Sequence, residues 1–273
     1  MSNKISDHLE YLKSLRRPAI GIRTTERNTF SKFCGLPTMP DDIDWPVFND
    51  QPMEFLCQID LTEIPKECER NGLPESGLLY FFYIEEQAWG LESKSKDGWK
   101  VIFSTKTSDQ CKERSEPDGI IKRQDEDEQY FEKHIEFRHM LVFPSDEDIR
   151  VMALDLEYEH EEEYWELKHA IYDEMPLHQM FGYPEHIQNN TMELECDIDS
   201  QGLNWNKYYK MRESKQTKWE EQSRLDWTML LQLDSDEDVN FMWGDCGNIQ
   251  FFIKTKDLQK LNFDDVWLTL QCG

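Results

Sequence analysis

The sequence predicts a mainly β protein at the border with α+β: a roll in which two pseudo-symmetric β halves share one core, with a few helices at the periphery. The first observation behind this is a stretch present twice. Phe55-Leu56-Cys57-Gln58-Ile59-Asp60 and Met229-Leu230-Leu231-Gln232-Leu233-Asp234 both pass from apolar residues through Gln and an aliphatic to Asp. The second is that their surroundings repeat. Gly35-Leu36-Pro37 and Gly182-Tyr183-Pro184 precede them, while Gly77-Leu78-Leu79-Tyr80-Phe81-Phe82-Tyr83 and Gly247-Asn248-Ile249-Gln250-Phe251-Phe252-Ile253 follow. Three blocks in one order, with unequal spacers, are what a duplicated unit leaves once its loops have diverged. The third is composition: 12 % aromatic residues and nine Trp furnish a large core, even with 32 % charged residues.

A single domain over 1–273 is expected, with repeat halves at roughly 20–105 and 175–273 joined by an acidic segment at 106–174. Ile5, Leu9, Leu12 and Leu15 keep helical spacing, so a short amphipathic helix opens the chain and stops before Pro18. A strand at 20–23 follows. The connection from Gly35 to Pro46 is punctuated by proline and excludes helix, leaving Trp45 as its anchor. Apolar, aromatic-rich runs at 53–61 and 77–84 read as buried strands. Leu61-Thr62-Glu63-Ile64-Pro65 adds a helical turn between them. The Asp97-Gly98 turn leads to a strand at 99–104. Residues 134–143 form a strand ended by Pro144, and Ser145 with Asp148 three residues on resembles a capping box that starts a helix. Tyr164, Leu167, Lys168 and Ile171 keep helical spacing up to Pro176. Residues 199–226 are polar and read as a loop leading into a short helix. Strands at 227–233, 247–253 and 265–271 make the C-terminal stretch a core element.

The net charge of −26 repels nucleic acid and anionic membrane and favours basic partners or cations. Plain solubility is the bland account of it. The charge is uneven: 22 Asp and Glu stand against 8 Lys and Arg in 109–174. Seven scattered cysteines without a C-x-x-C pair fit neither a disulfide framework nor a zinc ribbon. No run approaches a membrane span and no apolar leader opens the chain, so a cytoplasmic, reduced protein is expected.

Chemical signatures are sparse. Glu157…His160 and Glu166…His169 invite a di-iron reading, but nine residues put the two histidines roughly 13 Å apart along one helix and on nearly opposite sides. No nucleophile elbow, phosphate loop or zincin motif occurs, and no cofactor is implied. Trp243-Gly244-Asp245-Cys246-Gly247 is the sharpest local motif, either a turn of the fold or a ligand or cation contact through Asp245. Gln58, Asp60, Gln232 and Asp234 are polar groups in apolar strands. Either each pair ties a neighbouring loop to its strand, or the four line a polar pocket between the repeats.

Taken together, Gly35-Leu36-Pro37, Trp45-Pro46, the 55–61 stretch, Leu73-Pro74, the 77–82 stretch, His178-Gln179-Met180-Phe181-Gly182-Tyr183-Pro184, Ile187-Gln188, Leu230-Leu231-Gln232-Leu233-Asp234, Trp243-Gly244-Asp245 and the 247–253 stretch resemble the YwqG-like family, a bacterial domain of unknown function. The resemblance spans nearly the whole chain in the family's order. It implies a mainly β, roll-like architecture with a few helices and brings no catalytic assignment. Family members sit in loci that also hold secreted toxins, which associates some of them with immunity or accessory roles.

Two functions are therefore expected to compete. One is a non-enzymatic acidic binding protein, of the immunity or antitoxin type, that meets a basic toxin domain through acids such as Asp125, Glu126, Asp127 and Glu128. The other is a small-ligand or divalent-cation protein, or an enzyme, with a polar pocket between the repeats built by Gln58, Asp60, His178, Gln232, Asp234 and Asp245.

Overall fold

The two Gln-bearing stretches are the strands around which the molecule is ordered. In the computed structural model, which describes residues 4–84, 97–120, 129–156, 158–172 and 176–273, one antiparallel sheet has ten strands. These are β1 (Arg17–Thr24), β2 (Lys32–Phe33), β3 (Glu54–Asp60), β4 (Leu78–Tyr83), β5 (Trp99–Ser104), β6 (Lys133–Val142), β7 (Gln179–Phe181), β8 (Trp227–Asp234), β9 (Asn248–Lys254) and β10 (Trp267–Gln271). Their order is β10-β9-β8-β7-β1-β6-β2-β3-β4-β5, symmetric about the central β1–β6 pair. The fold is mainly β, as the repeated blocks predict.

Strand register carries the symmetry to single residues. Gln58 lies opposite Tyr80 and Lys32, and Gln232 lies opposite Gln250 and Gln179. Both strands bulge at the same place, between Phe55 and Cys57 in β3 and between Met229 and Leu231 in β8. At the centre, Gly21 pairs with Gln179 as His134 pairs with Lys32. The register therefore matches β1 with β6, so the second unit starts at β6, inside the stretch that the sequence assigns to the connection. Each unit's opening strand also pairs with the other unit's next strand, which interlocks the halves across the middle of the sheet.

The sheet curls until its edges meet through side chains. Trp99 Nε1 of β5 donates to Val266 O at 2.9 Å, and the Trp99 and Trp267 rings cross at 5.2 Å. Inside, one apolar cluster takes residues from both halves, with Phe81 of β4 against Phe251 of β9 at 5.2 Å. Such edge-to-face pairs add specific attraction to the burial of large rings. Trp45 anchors its proline-punctuated loop as expected, by donating Nε1–H to Met53 O at 2.7 Å.

The helices lie outside this core: α1 (Ile5–Ser14), α2 (Ile149–Met152), α3 (Tyr158–His169), α4 (Met192–Ser200), α5 (Trp205–Tyr209), α6 (Glu213–Asp226) and α7 (Thr255–Leu258). Ile5 and Leu12 of α1 bury against Phe143, Val151 and Tyr164, forming a separate small cluster. The polar stretch expected to be a loop with a short helix instead holds α5 and the 14-residue α6, preceded by α4. Trp219 of α6 explains why α6 docks: its Nε1–H donates to Asp197 Oδ2 of α4 at 2.7 Å.

Both Gly-x-Pro segments begin with two residues in the left-handed region, Cys34 with Gly35 and Phe181 with Gly182. At Gly182 (φ +76) a Cβ would stand 2.6 Å from Val142 Cγ2 and 2.8 Å from Ala19 Cβ, whereas at Gly202 (φ +62) it would meet nothing within 4 Å. Gly182→Ala should thus cost roughly 2 kcal/mol, and Gly202→Ala about 1 kcal/mol, in chemical denaturation. Equal costs at the two positions would mean that crowding at the β1–β7 junction contributes nothing.

Candidate functional site

The polar residues of the repeated strands form two equivalent clamps. In the first half Gln58 Nε2 donates to Phe30 O at 2.6 Å, and its Oε1 accepts the Thr38 amide at 2.8 Å. In the second, Gln232 Nε2 donates to Leu177 O and its Oε1 accepts the Glu185 amide, both at 2.8 Å. Tyr80 Oη and Gln250 Nε2, from the next strand, donate to the carbonyls of the same two loop residues, Thr38 and Glu185. Thr38 and Glu185 follow the two Gly-x-Pro turns. An extended side chain in the large sheet thus satisfies backbone groups beyond that sheet's own ladders, Thr38 belonging to a separate short pairing with Glu113.

The aspartates behave similarly. Asp60 Oδ1 accepts from the Thr62 amide and hydroxyl at 2.9 and 2.7 Å, capping the helical turn at Leu61–Glu63. Asp234 Oδ2 accepts the Leu177 amide at 2.8 Å and Oδ1 the Ser235 amide at 3.0 Å. Burial raises the Asp234 carboxyl above its ordinary range, against the pull of the Leu177 amide and His178.

Where the first half has Ser31, the second has His178. The Asp60 amide donates to Ser31 Oγ at 2.8 Å, and the Asp234 amide to His178 Nδ1 at 3.0 Å. Since Nδ1 accepts, the ring proton sits on Nε2, which donates to Asp236 Oδ2 at 3.0 Å. Burial works to raise the Asp236 carboxyl, but the His178 hydrogen bond, with the amides of Asp238 and Val239, holds it below its usual range. His178 is buried, and its edge meets Phe33 at 4.9 Å. Both ring nitrogens are spent, so the imidazole has no lone pair to offer as a general base.

Beside this pair, on the outer side of the central strands, lies a cavity of about 250 Å³. Gly21 and Arg23 of β1, Arg138 and Met140 of β6, Tyr172, His178, Asp236 and Asp238 line it. Its polar groups are largely matched. Arg23 pairs with Glu136 at 2.6 Å, Arg138 Nη2 donates to Ile171 O at 3.2 Å, and Tyr172 Oη donates to Gln179 Oε1 at 2.8 Å.

Of the residues expected to build an inter-repeat pocket, the structure brings His178, Gln232 and Asp234 together in one half. Gln58 and Asp60 meet in the other, and all five direct polar atoms at the loops of their own half. Asp245 is exposed in the turn before β9, where its carbonyl accepts the Gly273 amide at 3.0 Å. Asp125, Glu126, Asp127 and Glu128 lie outside the described residues. Sequence reasoning misses Asp236, although an acid two places beyond Asp234 on an extended chain points to the same side as Asp234. Among the described residues no three His, Cys, Asp or Glu side chains gather as a metal ion would require, and no helix is long and apolar enough to cross a membrane.

These features define a class: a duplicated β roll whose repeated polar residues clamp paired loops. The chain matches the family model described as a domain of unknown function (DUF1963) over residues 31–272, and it belongs to that family, the one its YwqG-like motifs indicate. A comparison with curated proteins finds no match.

Proposed function

We propose that this is a non-enzymatic acidic binding protein whose partner is a basic protein, with an immunity-type role against a basic secreted toxin domain as its specific form. The observation that carries this reading is the outer face of α3. Glu162, Glu163 and Glu166 are exposed there around Trp165, which is 54 % exposed and stacks on His169 at 4.1 Å. A large ring that forgoes burial, set among carboxylates in the most acidic quarter of the chain, suits a basic partner: the ring anchors and the acids steer. The small-ligand alternative has less support, because Gln58, Asp60, His178, Gln232 and Asp234 spend their polar atoms on loop groups.

The test begins with affinity capture from the source cells, followed by binding of the purified partner to wild type, Trp165→Ala and the double variant Glu162→Gln/Glu166→Gln. At about 50 mM salt each variant should bind roughly tenfold more weakly. Near 500 mM the double variant should converge on wild type, while Trp165→Ala stays impaired. A partner held equally well at both salt concentrations, or one indifferent to these changes, would overturn the proposal.

A further inference from the structure

The duplication gives each half a cavity beside its left-handed turn, and the two have diverged in charge. In the first half Gly35, Glu54, Phe55 and Tyr130 line a space of about 200 Å³. In the second, Gly182, Thr228, Met229 and Arg17 occupy the matching places around about 410 Å³, and Arg224 of α6 joins them. The register makes the correspondence explicit for Thr228 with Glu54 and Met229 with Phe55, and counting back four residues from the matched Gly21 and His134 sets Arg17 against Tyr130.

Two arginines from distant parts of the chain therefore line one cavity of a protein carrying a net charge of −26. The planar Arg17 group lies over the Tyr183 ring, 4.3 Å from its centroid, and Arg224 Nη2 donates to Asn190 O at 3.2 Å. Each keeps further N–H groups, and among the described residues neither has a carboxylate within ion-pair distance. Elsewhere Arg70 and Arg114 hold loop carbonyls, and Arg23 and Arg150 pair with Glu136 and Asp148. The Thr228 and Thr255 hydroxyls, 2.9 Å apart, spend their protons on each other and on Leu225 O, and the buried Trp227 and Met229 complete the lining. One acid, Glu193, shares the cavity; burial raises its carboxyl while Arg224 and Arg17 work against that rise.

We propose that the cavity between Arg17 and Arg224 binds a small oxyanion, a carboxylate or phosphate group on a compact ligand. Guanidinium forks match the paired oxygens of both groups, which an ammonium would not. The site is independent of the acidic face of α3.

The test is isothermal titration of the full chain with inorganic phosphate and, separately, with glutarate. One saturable site is expected for at least one of the two. Tighter phosphate binding would assign a phosphorylated ligand, and tighter glutarate binding a carboxylate one. Arg17→Gln and Arg224→Gln should each weaken binding about tenfold or more, while Arg23→Gln, at the central cavity, leaves it unchanged. Arg17→Lys, which keeps charge but loses the fork, should fall between wild type and Arg17→Gln, and it serves if the glutamine variant fails to fold. No saturation by either anion up to about 10 mM, or binding that survives loss of both arginines, overturns the site.

Discussion

Replacing Gln232 by Leu is expected to destabilise the protein by about 4 kcal/mol, because the change removes one side chain and strands three buried groups. The Glu185 amide, the Leu177 carbonyl and the Gln250 amide all lose their Gln232 partner, at present distances of 2.8, 2.8 and 3.2 Å. Leucine matches the volume and suits a strand, so the penalty isolates unsatisfied polar groups from cavity formation. Gln58→Leu should cost somewhat less, since it deprives two groups instead of three, the Phe30 carbonyl and the Thr38 amide. Gln222→Leu, on the exposed face of α6 where the side chain bonds Asp226, should stay within about 0.5 kcal/mol of wild type. Urea unfolding of the three variants checks the series. A Gln232→Leu protein within about 1 kcal/mol of wild type would mean that the glutamine is not the clamp, and it would return the residue to the ligand reading.

The same clamps explain what the sequence makes legible. Gln58 and Gln232 stand out because polar residues in apolar strands need a standing partner, and the repeated Gly-x-Pro turn supplies one at a fixed place in each half. That tie keeps three blocks in order while loops lengthen between them, so the duplication survives as a readable pattern. The interlocking of β1 with β6 leaves no such trace. Gly21 and His134 occupy equivalent places, but a central strand packed on both sides is specified by whatever fits its neighbours, and the two copies share little beyond Ile22 and Ile135. In both, the strand amide still meets the other chain segment: Ile22 N–H donates to His178 O, and Ile135 N–H to Ser31 O. The exchange of Ser31 for His178 is equally silent in the sequence. Hydroxyl and imidazole both accept one backbone amide, and only the second then needs an acid, Asp236, to take up its remaining proton.

Helix α4 shows no apolar stripe in the sequence because its buried side includes acids. Glu195 and Asp199, one helical turn apart, are both almost fully buried, Asp199 at 5 % exposure, so a search for an apolar stripe finds none. Asp199 Oδ2 has no hydrogen-bond partner among the described residues. Burial, reinforced by the neighbouring Glu195 charge and opposed by Trp205, pushes its carboxyl up to about 7. A carboxyl that holds its proton to about pH 7 when folded, yet releases it near 4 when unfolded, makes the native state the better proton binder in that interval. Stability contributed by this group is therefore present in acid and declines as the pH rises from about 4 to about 7, by up to roughly 3–4 kcal/mol. Asp199→Asn removes the titration while keeping shape. The variant should match wild type near pH 4 and exceed it by about 3 kcal/mol near pH 8, where wild type must bury the charge. Because Glu193 and Asp234 are present in both proteins, the difference between their pH profiles reports Asp199 together with its coupling to Glu195 in unfolding experiments at about pH 4, 6 and 8. A constant difference across that range would show that Asp199 ionises as an ordinary surface carboxylate and that α4 buries no proton-dependent charge.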